Sequence, residues 1–452
     1  MMENSKKIAM SIAGSDPSSG AGVQADLKAF TALDIHGVTA ITCITVQNTQ
    51  RVKTTYKLPV EIIRNQIDVL LEDMQPDAVK TGMLYDEEIL SCVVEKVKQY
   101  NLKTVVDPVL VATSGDRLSQ KDLAEAIKRE LLPESYMVTP NVEEASILIG
   151  TKIETIDDVK KACSELYKLG VKYVLIKGGH LKGESVQDML FDGKRYNVFS
   201  LPRIPDKKAH GSGCTLSALI TGLLALDEPV EVAVRKAKHI LWNMINQGYR
   251  PGKGSDVLNH SSYVAGDIPF SFQSDQHFDI WLELKTSVDK FLSFLPIEYI
   301  PEVGVNIGYA LPDAKGLEDV CAIDGRIVKT SGKLVRCGRL AFGVSKHVAS
   351  IILTVMEFNP DMRCAMNLRY SKGNIRKCRK AGFKIGFFDR TSEPEDAKST
   401  MEWGTKEVVK KLGYVPDVVF DKGGLGKEPM IRILGKNPEE VIDKVLILVK
   451  KP

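Results

Sequence analysis

An α/β chain of two domains is what this sequence predicts, on three observations. Its 452 residues exceed the roughly 250 to 300 over which a single hydrophobic core keeps growing. Its first half repeats a strand-then-helix order. Near residue 265 that order gives way to a stretch rich in Gly, Ser and Pro, running from Gly252 and Gly254 through Ser261 and Ser262 to Gly266 and Ser274, the composition of an interdomain connection. The boundaries drawn from it are 1–262 for the first domain, 263–274 for a linker and 275–452 for the second.

The runs Ile8 to Ala13, Val38 to Val46, Ala78 to Thr81, Thr104 to Asp107, Tyr136 to Thr139 and Tyr173 to Lys177 are apolar almost throughout, as strands buried on both faces are. Helix-length segments alternate with them: Val23 to Leu33, Val60 to Met74, Glu87 to Tyr100 and Gln120 to Leu131. A mostly parallel sheet flanked by helices is expected. Beyond the linker, a helical pattern runs from Ile280 to Phe294, another from Leu340 to Phe358, and Val415 to Phe420 reads as a strand.

Composition narrows the class. With 44% apolar and 26% charged residues the chain is an ordinary globular one. It has no apolar run of the roughly 18 to 20 residues a membrane helix needs, and Met1 to Lys7 leads into no apolar signal core. A soluble cytoplasmic protein is expected. The eight cysteines are scattered without a Cys-x-x-Cys pair, which fits reduced thiols rather than a disulfide frame or zinc site. A net charge of +3 conceals an asymmetry, because residues 326–390 hold 15 Lys and Arg against 3 Asp and Glu. That block is suited to anions, although a charge run is also what a solvated face looks like.

Two loops of the first domain carry chemistry. Ala13-Gly14-Ser15-Asp16-Pro17-Ser18-Ser19-Gly20-Ala21-Gly22 follows a strand and opens a helix bearing Gln24, Asp26 and Lys28; its glycines let backbone amides approach a ligand, as they do in many ordinary loops. Ala209-His210-Gly211-Ser212-Gly213-Cys214-Thr215 runs into the apolar helix Leu216 to Leu226. Consecutive amides at a helix start form an anion hole where a transferring phosphoryl group gathers charge. The same helix start can lower a thiol pKa, so Cys214 is a candidate base; a glycine turn over a buried thiol is the competing reading. Further short motifs end other strands, where open α/β sheets bind ligands: Gln47-Asn48-Thr49, Lys80-Thr81-Gly82-Met83, Asp107-Pro108-Val109, Thr139-Pro140-Asn141 with Glu144, and Lys177-Gly178-Gly179-His180.

Together these motifs resemble the hydroxymethylpyrimidine and phosphomethylpyrimidine kinases of thiamine synthesis, which have the ribokinase-like fold. The resemblance spans roughly residues 7–258, and Ser19 stands where Gly is common. It implies that Gly14, Asp26, Gln47 and Met83 line a pyrimidine pocket, and that Asn141 and Lys177 lie at ATP. It implies further that Asp107 and Glu144 lie at Mg²⁺, that Gly211, Ser212 and Gly213 form the anion hole, and that Cys214 is the base. General ribokinase relatives usually carry Asp at the position of Cys214. Pyridoxal kinases are the nearest alternative, against which Gln47 and Met83 speak.

The second domain resembles archaeal-type thiamine-phosphate synthase in Ala322-Ile323-Asp324-Gly325-Arg326, Gly338-Arg339-Leu340-Ala341-Phe342-Gly343, Met366-Asn367-Leu368-Arg369-Tyr370 and the Gly-rich loop Lys422 to Glu428. That resemblance implies Arg326 and His347 as catalytic residues and Arg339 and Arg369 as phosphate binders; a lone histidine on a helix is otherwise more often structural. The implied substrates are hydroxymethylpyrimidine, its phosphate and thiazole phosphate, with ATP and Mg²⁺, in a homodimer or higher homo-oligomer. A thiamine-phosphate-sensing role for the second domain is the alternative. Nucleic acid is not expected as a partner, since the basic block lacks interleaved aromatics.

Overall fold

The computed structural model describes residues 6–110, 123–179, 183–205, 209–262, 274–330, 332–394, 399–424 and 426–449. Two compact units divide the chain, Met1–Ala265 and Gly266–Pro452. No helix among the described residues is long and apolar enough to cross a membrane.

The first unit runs β1 (Ile8–Ser15), α1 (Gly22–Ala32), β2 (His36–Gln47), β3 (Val52–Lys57), α2 (Val60–Asp73), β4 (Ala78–Thr81), α3 (Glu87–Gln99), β5 (Thr104–Val106) and α4 (Leu123–Ala126). It continues through β6 (Met137–Val138), α5 (Val142–Ile149), α6 (Ile156–Tyr167), β7 (Tyr173–Ile176), β8 (Ser185–Phe191), β9 (Tyr196–Pro202), β10 (Ala209–His210), α7 (Ser212–Ala225), α8 (Val230–Asn246) and β11 (Asp256–Val257). A nine-stranded sheet has the order β3-β2-β1-β4-β5-β6-β7-β8-β9. From β2 to β7 every pairing is parallel, and β3, β8 and β9 extend the edges antiparallel. Met10, Ile12, Val79 and Val106 face one core with α2 to α6, while α7 crosses the opposite side against α1 and α8. The parallel strands bring their carboxyl ends, and all the motif loops, to one edge.

Sequence patterning missed β8 and β9. Tyr196–Pro202 alternates exposed and buried residues at the edge of the sheet, so it lacks the continuous apolar signal of the central strands. Of the expected helix Gln120 to Leu131, residues 120–122 and the preceding segment lie outside the described residues, and the remainder is α4 passing into a π-helical turn at Ile127–Leu131.

The second unit comprises α9 (Asp275–Phe294), β12 (Ile307–Ala310), β13 (Val320–Ile323), β14 (Arg326–Thr330), β15 (Lys333–Cys337), β16 (Leu340–Phe342) and α10 (Lys346–Met356). Then come β17 (Cys364–Arg369), α11 (Lys372–Lys380), β18 (Ile385–Phe387), α12 (Thr400–Leu412), β19 (Val418–Asp421), β20 (Met430–Gly435) and α13 (Pro438–Val449). Its sheet has the order β16-β13-β12-β17-β20-β19-β18, antiparallel except for the β18–β19 pair. Ala310, Ala365, Val419 and Leu434 share a core with α10 and α12; α9 and α13 pack on the sheet's other face. The helical reading of Leu340 to Phe358 is corrected at its start: Leu340–Phe342 pairs with Cys321–Ile323 as a strand, and Gly343 at φ +78° separates it from α10.

Phe278, Trp281 and Phe291 of α9 are at most 1% exposed, so this helix anchors the second unit. Phe291→Ala is expected to destabilise it by roughly 3–5 kcal/mol, read as a shift in the denaturant midpoint followed by tryptophan fluorescence. A cost below about 1 kcal/mol, the level of a surface change, would show that α9 does not carry the core.

Candidate active sites

In the first unit the motif loops line one cavity of about 1510 Å³, which Gly14, Gln47, Met83, Asp107, Asn141, Glu144, Lys177 and Gly211 to Cys214 all border. Two glycines hold the loops against each other. Gly211 starts α7 at φ +81°, and a Cβ there would sit 1.8 Å from the Gly20 carbonyl oxygen of the other Gly-rich loop. Only glycine permits both the turn and the approach. Gly14 packs against Cys43 and lies near Met83.

Asp16 braces the β1–α1 loop by accepting from the Ser18 and Ala21 amides at 2.8 and 2.9 Å. His210 joins the two sides: its Nε2 lies 3.0 Å from Gln47 Nε2 and 3.4 Å from Asp16 Oδ2.

Beneath the loops lies a row of buried charge. Lys80, fully buried, donates to Asp26 Oδ2 at 2.9 Å, where Ser11 Oγ also donates at 2.6 Å. Asp26 Oδ1 is buried and has no hydrogen-bond partner among the described residues. Asp26 is itself fully enclosed, and it is Lys80 that reaches the cavity wall. Lys177 donates to Asp107 Oδ1 at 2.8 Å, and a Cβ on Gly213 would lie 3.2 Å from Lys177 Nζ. The ammonium therefore stands at the anion hole.

These charges set the proton states. Burial pushes the Asp107 carboxyl up, but Lys177 and Lys80 outweigh it and hold it below its ordinary value. Glu144 is buried and beside Asp107, and its carboxyl is pushed up to about 7 against the pull of Lys177. It also closes a capping box, accepting from Asn141 N at 2.8 Å while Asn141 Oδ1 accepts from Glu144 N at 2.9 Å. The expected lowering of the Cys214 pKa is corrected. Burial, with Asp107 and Asp26 nearby, pushes the thiol up to about 12 against Lys80 and Lys177.

Four positions that sequence reasoning left without a role belong to this machinery. Lys80 and His210 stood inside noted motifs, and a lysine within an apolar strand was itself a signal, since such residues are almost never buried unpaired. Asp188 and Lys238 gave none. Asp188 of β8 accepts from Gly178 N at 2.9 Å and from Lys238 Nζ at 2.6 Å, fixing the loop that follows Lys177. His180 of that loop lies outside the described residues.

In the second unit, loops converge on the start of α10. Asn306 Nδ2 donates to the carbonyls of Ile323 and Gly325 at 2.9 and 3.1 Å and to Ser345 Oγ at 3.3 Å. Asn367 Oδ1 in turn accepts from Asn306 N at 2.7 Å. These bonds bring the strand bearing Arg326 next to the helix start bearing His347. Burial, then the nearby cations Arg326, Arg432, Arg390 and Lys427, hold the imidazole pKa below its ordinary value.

Arg326 and His347 are thus brought together. Like Arg326 and His347, the other two predicted residues are exposed: the Arg339 side chain is 46% exposed, 4.0 Å from Asp324, and Arg369 stands at the end of β17. Among the described residues no cluster of three or more His, Cys, Asp or Glu could hold a metal ion on its own.

Residues 16–259 match the phosphomethylpyrimidine kinase family and residues 283–447 match thiamine-phosphate synthase ThiN. The chain is 34% identical over 445 residues to a bifunctional thiamine biosynthesis protein, ThiDN, of Methanocaldococcus jannaschii, covering 98% of each. It is 40% identical over 262 residues to a hydroxymethylpyrimidine/phosphomethylpyrimidine kinase of Bacillus subtilis, covering 58% of this chain and 97% of that one. Among solved structures, pyridoxal kinase of Staphylococcus aureus in complex with AMP-PCP and pyridoxal superposes with a TM-score of 0.53 at 34% identity, over 57% of this chain and 95% of that one.

Glu144 makes the first site's electrostatics measurable in the fold itself. Its pKa is higher folded than unfolded, so the folded state binds more protons between the ordinary value and about 7. Stability should therefore fall as pH rises through that window and level off above it. Glu144→Gln, which keeps the cap acceptor, is expected to flatten that dependence in urea titrations across pH 4–8. An unchanged slope would mean that Glu144 ionises normally.

Proposed function

The chain belongs to the bifunctional thiamine biosynthesis proteins that join a hydroxymethylpyrimidine/phosphomethylpyrimidine kinase to a thiamine-phosphate synthase, and from that premise we propose how its residues share the work. Residues 1–262 are the kinase and 275–452 the synthase. In the kinase, ATP is the phosphoryl donor, Gln47 with Gly14 and Met83 faces the pyrimidine, and Asp26 acts on it through Lys80. Asn141 and Lys177 hold the nucleotide phosphates. The observation that carries the kinase assignment is the meeting of the Gly211 to Cys214 helix start with the Lys177 ammonium at one cavity.

Asp107 and Glu144 fit Mg²⁺: it takes oxygen donors and keeps waters and substrate phosphates as its remaining ligands, so two carboxylates suffice. Burial, with Asp107 beside it, raises the Glu144 pKa, and a bound cation would favour its charged form. When bound, the ion neutralises charge on the phosphates.

In the first transfer the substrate hydroxyl oxygen bonds to the γ-phosphorus, the bond from phosphorus to the bridging oxygen of ADP breaks, and the hydroxyl proton goes to the base. In the second, a phosphate oxygen of the monophosphate attacks, and it has no proton to lose at neutral pH. Backbone amides and Lys177 stabilise both transition states, while Cys214 serves the first alone. Its resting form is the thiol, so the competent thiolate is scarce.

In the synthase, Arg326 and His347 act on the pyrimidine pyrophosphate, whose methylene carbon gains a bond to the thiazole nitrogen as pyrophosphate leaves. Arg339 and Arg369 are retained as outer phosphate contacts. The setting is the cytosol, where eight free cysteines stay reduced, and the assembly is a homodimer or higher homo-oligomer; light scattering checks the latter.

Full-length protein given ATP, Mg²⁺, hydroxymethylpyrimidine and thiazole phosphate should yield thiamine phosphate by mass spectrometry. Accumulation of the pyrimidine pyrophosphate alone would remove the synthase and leave a ligand sensor. Cys214→Ala is expected to slow the first phosphorylation by roughly 10²- to 10⁴-fold, the range of general-base contributions, and the second by less than about tenfold. The first rate in the unsubstituted protein should climb from pH 6 to 9 as thiolate forms, and Cys214→Asp should flatten that climb. Equal loss of both steps, or a flat profile, would exclude the thiolate as base.

A further inference from the structure

In the second unit two arginines that the sequence did not single out, Arg390 and Arg432, meet at one buried carboxylate at the start of the Gly-rich loop. Asp421 ends β19 fully buried, and its carboxylate accepts from two guanidinium groups. Arg390 donates through Nε at 2.8 Å and Nη2 at 3.2 Å, and Arg432 of β20 approaches through Nη2 at 2.8 Å. The same carboxylate takes the Gly423 amide at 2.7 Å, tying the Gly-rich loop to the cluster. Arg432 is 2% exposed, and its Nη1 is buried without a hydrogen-bond partner among the described residues.

The strand pattern aims this cluster at α10. Val419 and Leu434 alternate into the core beneath that helix, and Asp421 and Arg432 share their face by the two-residue period. At the helix start Ser345 gives no side-chain cap, and His347 stands close enough to Arg432 and Arg390 to feel their charge. Arg326 and Lys427 complete the ring of charge around His347.

We propose that Arg390 and Arg432, held by Asp421, grip the pyrophosphate of the pyrimidine substrate and follow it as it departs. The assignment rests on the synthase reading above. Four cations against one carboxylate leave an excess of about three positive charges, which matches a pyrophosphate better than the doubly charged monophosphate of the thiazole. A leaving group that gathers charge as its C–O bond breaks gains most from donors already fixed in place. Guanidinium forks suit it because each can hold Asp421 along one edge and phosphate oxygens along another.

The test uses the full-length protein, supplied with preformed pyrimidine pyrophosphate and thiazole phosphate without ATP. Arg390, partly exposed, can change without opening the core. Arg390→Met should raise both KM for the pyrimidine pyrophosphate and the inhibition constant of added inorganic pyrophosphate by roughly 10- to 100-fold, the loss of one or two charge-assisted hydrogen bonds. KM for thiazole phosphate should move less than about threefold, and Arg390→Lys should recover part of the loss. Unmoved pyrophosphate constants, or a change confined to thiazole phosphate, would overturn the assignment. If the unsubstituted protein makes no thiamine phosphate, the synthase reading fails instead. Calorimetry with inorganic pyrophosphate, the kinase site being saturated with ADP, then decides: binding lost in Arg390→Met supports the site, and binding absent or unchanged removes it.

Discussion

Two lysines buried among carboxylates are the constraint on which the kinase cavity depends. An ammonium taken out of water costs several kcal/mol unless it is paired, and removing one partner of such a pair typically costs about 3–5 kcal/mol. Lys80 and Lys177 therefore determine where Asp26 and Asp107 must stand, and with them α1 and the ends of β4, β5 and β7. Because the pairs interact, they also divide the protons. Asp107 keeps its charge, Glu144 is pressed toward neutrality, and Cys214 holds its proton. The cavity is a charge arrangement first and a shape second.

The second unit meets the same need with arginine. In the kinase the Lys177 ammonium, paired with Asp107, stands beside the backbone amides of a helix start, an arrangement that requires glycine where the loops touch. A guanidinium can satisfy a carboxylate with some donors and keep others. The Asp421 cluster uses this directly, with one carboxylate orienting two arginines while Arg432 Nη1 has no hydrogen-bond partner among the described residues. The two halves of the chain thus present positive charge by different chemistry, one through lysines beside main-chain amides and one through arginines.

What was legible in the sequence follows from the same distinction. The central parallel strands are buried on both faces, so their apolar runs were plain, and the helix start that borders the cavity announced itself through Gly211, Gly213 and the apolar helix behind them. Charge bridged across strands left no such trace. Asp188 and Lys238 are 50 residues apart, and Arg390 and Asp421 are 31 apart. Neither pair has a period or motif, because only the fold brings its members together. Arg339 and Arg369 were chosen from conspicuous local motifs, and both are substantially exposed, whereas the arginines that meet at Asp421 came from unremarkable stretches. The expected lowering of the Cys214 pKa was overridden for a related reason: the helix start is a local feature, and the burial and carboxylates that outweigh it are not.

This ordering of charge over specialised base chemistry also explains how one cavity serves two different nucleophiles. A hydroxyl and a phosphate oxygen differ in size, charge and whether they carry a proton, and a site built around a strong base would favour the first. Phosphoryl transfer passes through a loose transition state with its charge spread over the equatorial oxygens, and asks chiefly for fixed positive potential and alignment. In the proposed assignment Lys177 and the α7 amides supply that potential, and it is indifferent to which oxygen attacks. A high thiol pKa at Cys214 is therefore tolerable: it limits only the step that has a proton to remove, and keeps a nucleophilic thiolate from competing with the substrate for the transferred group.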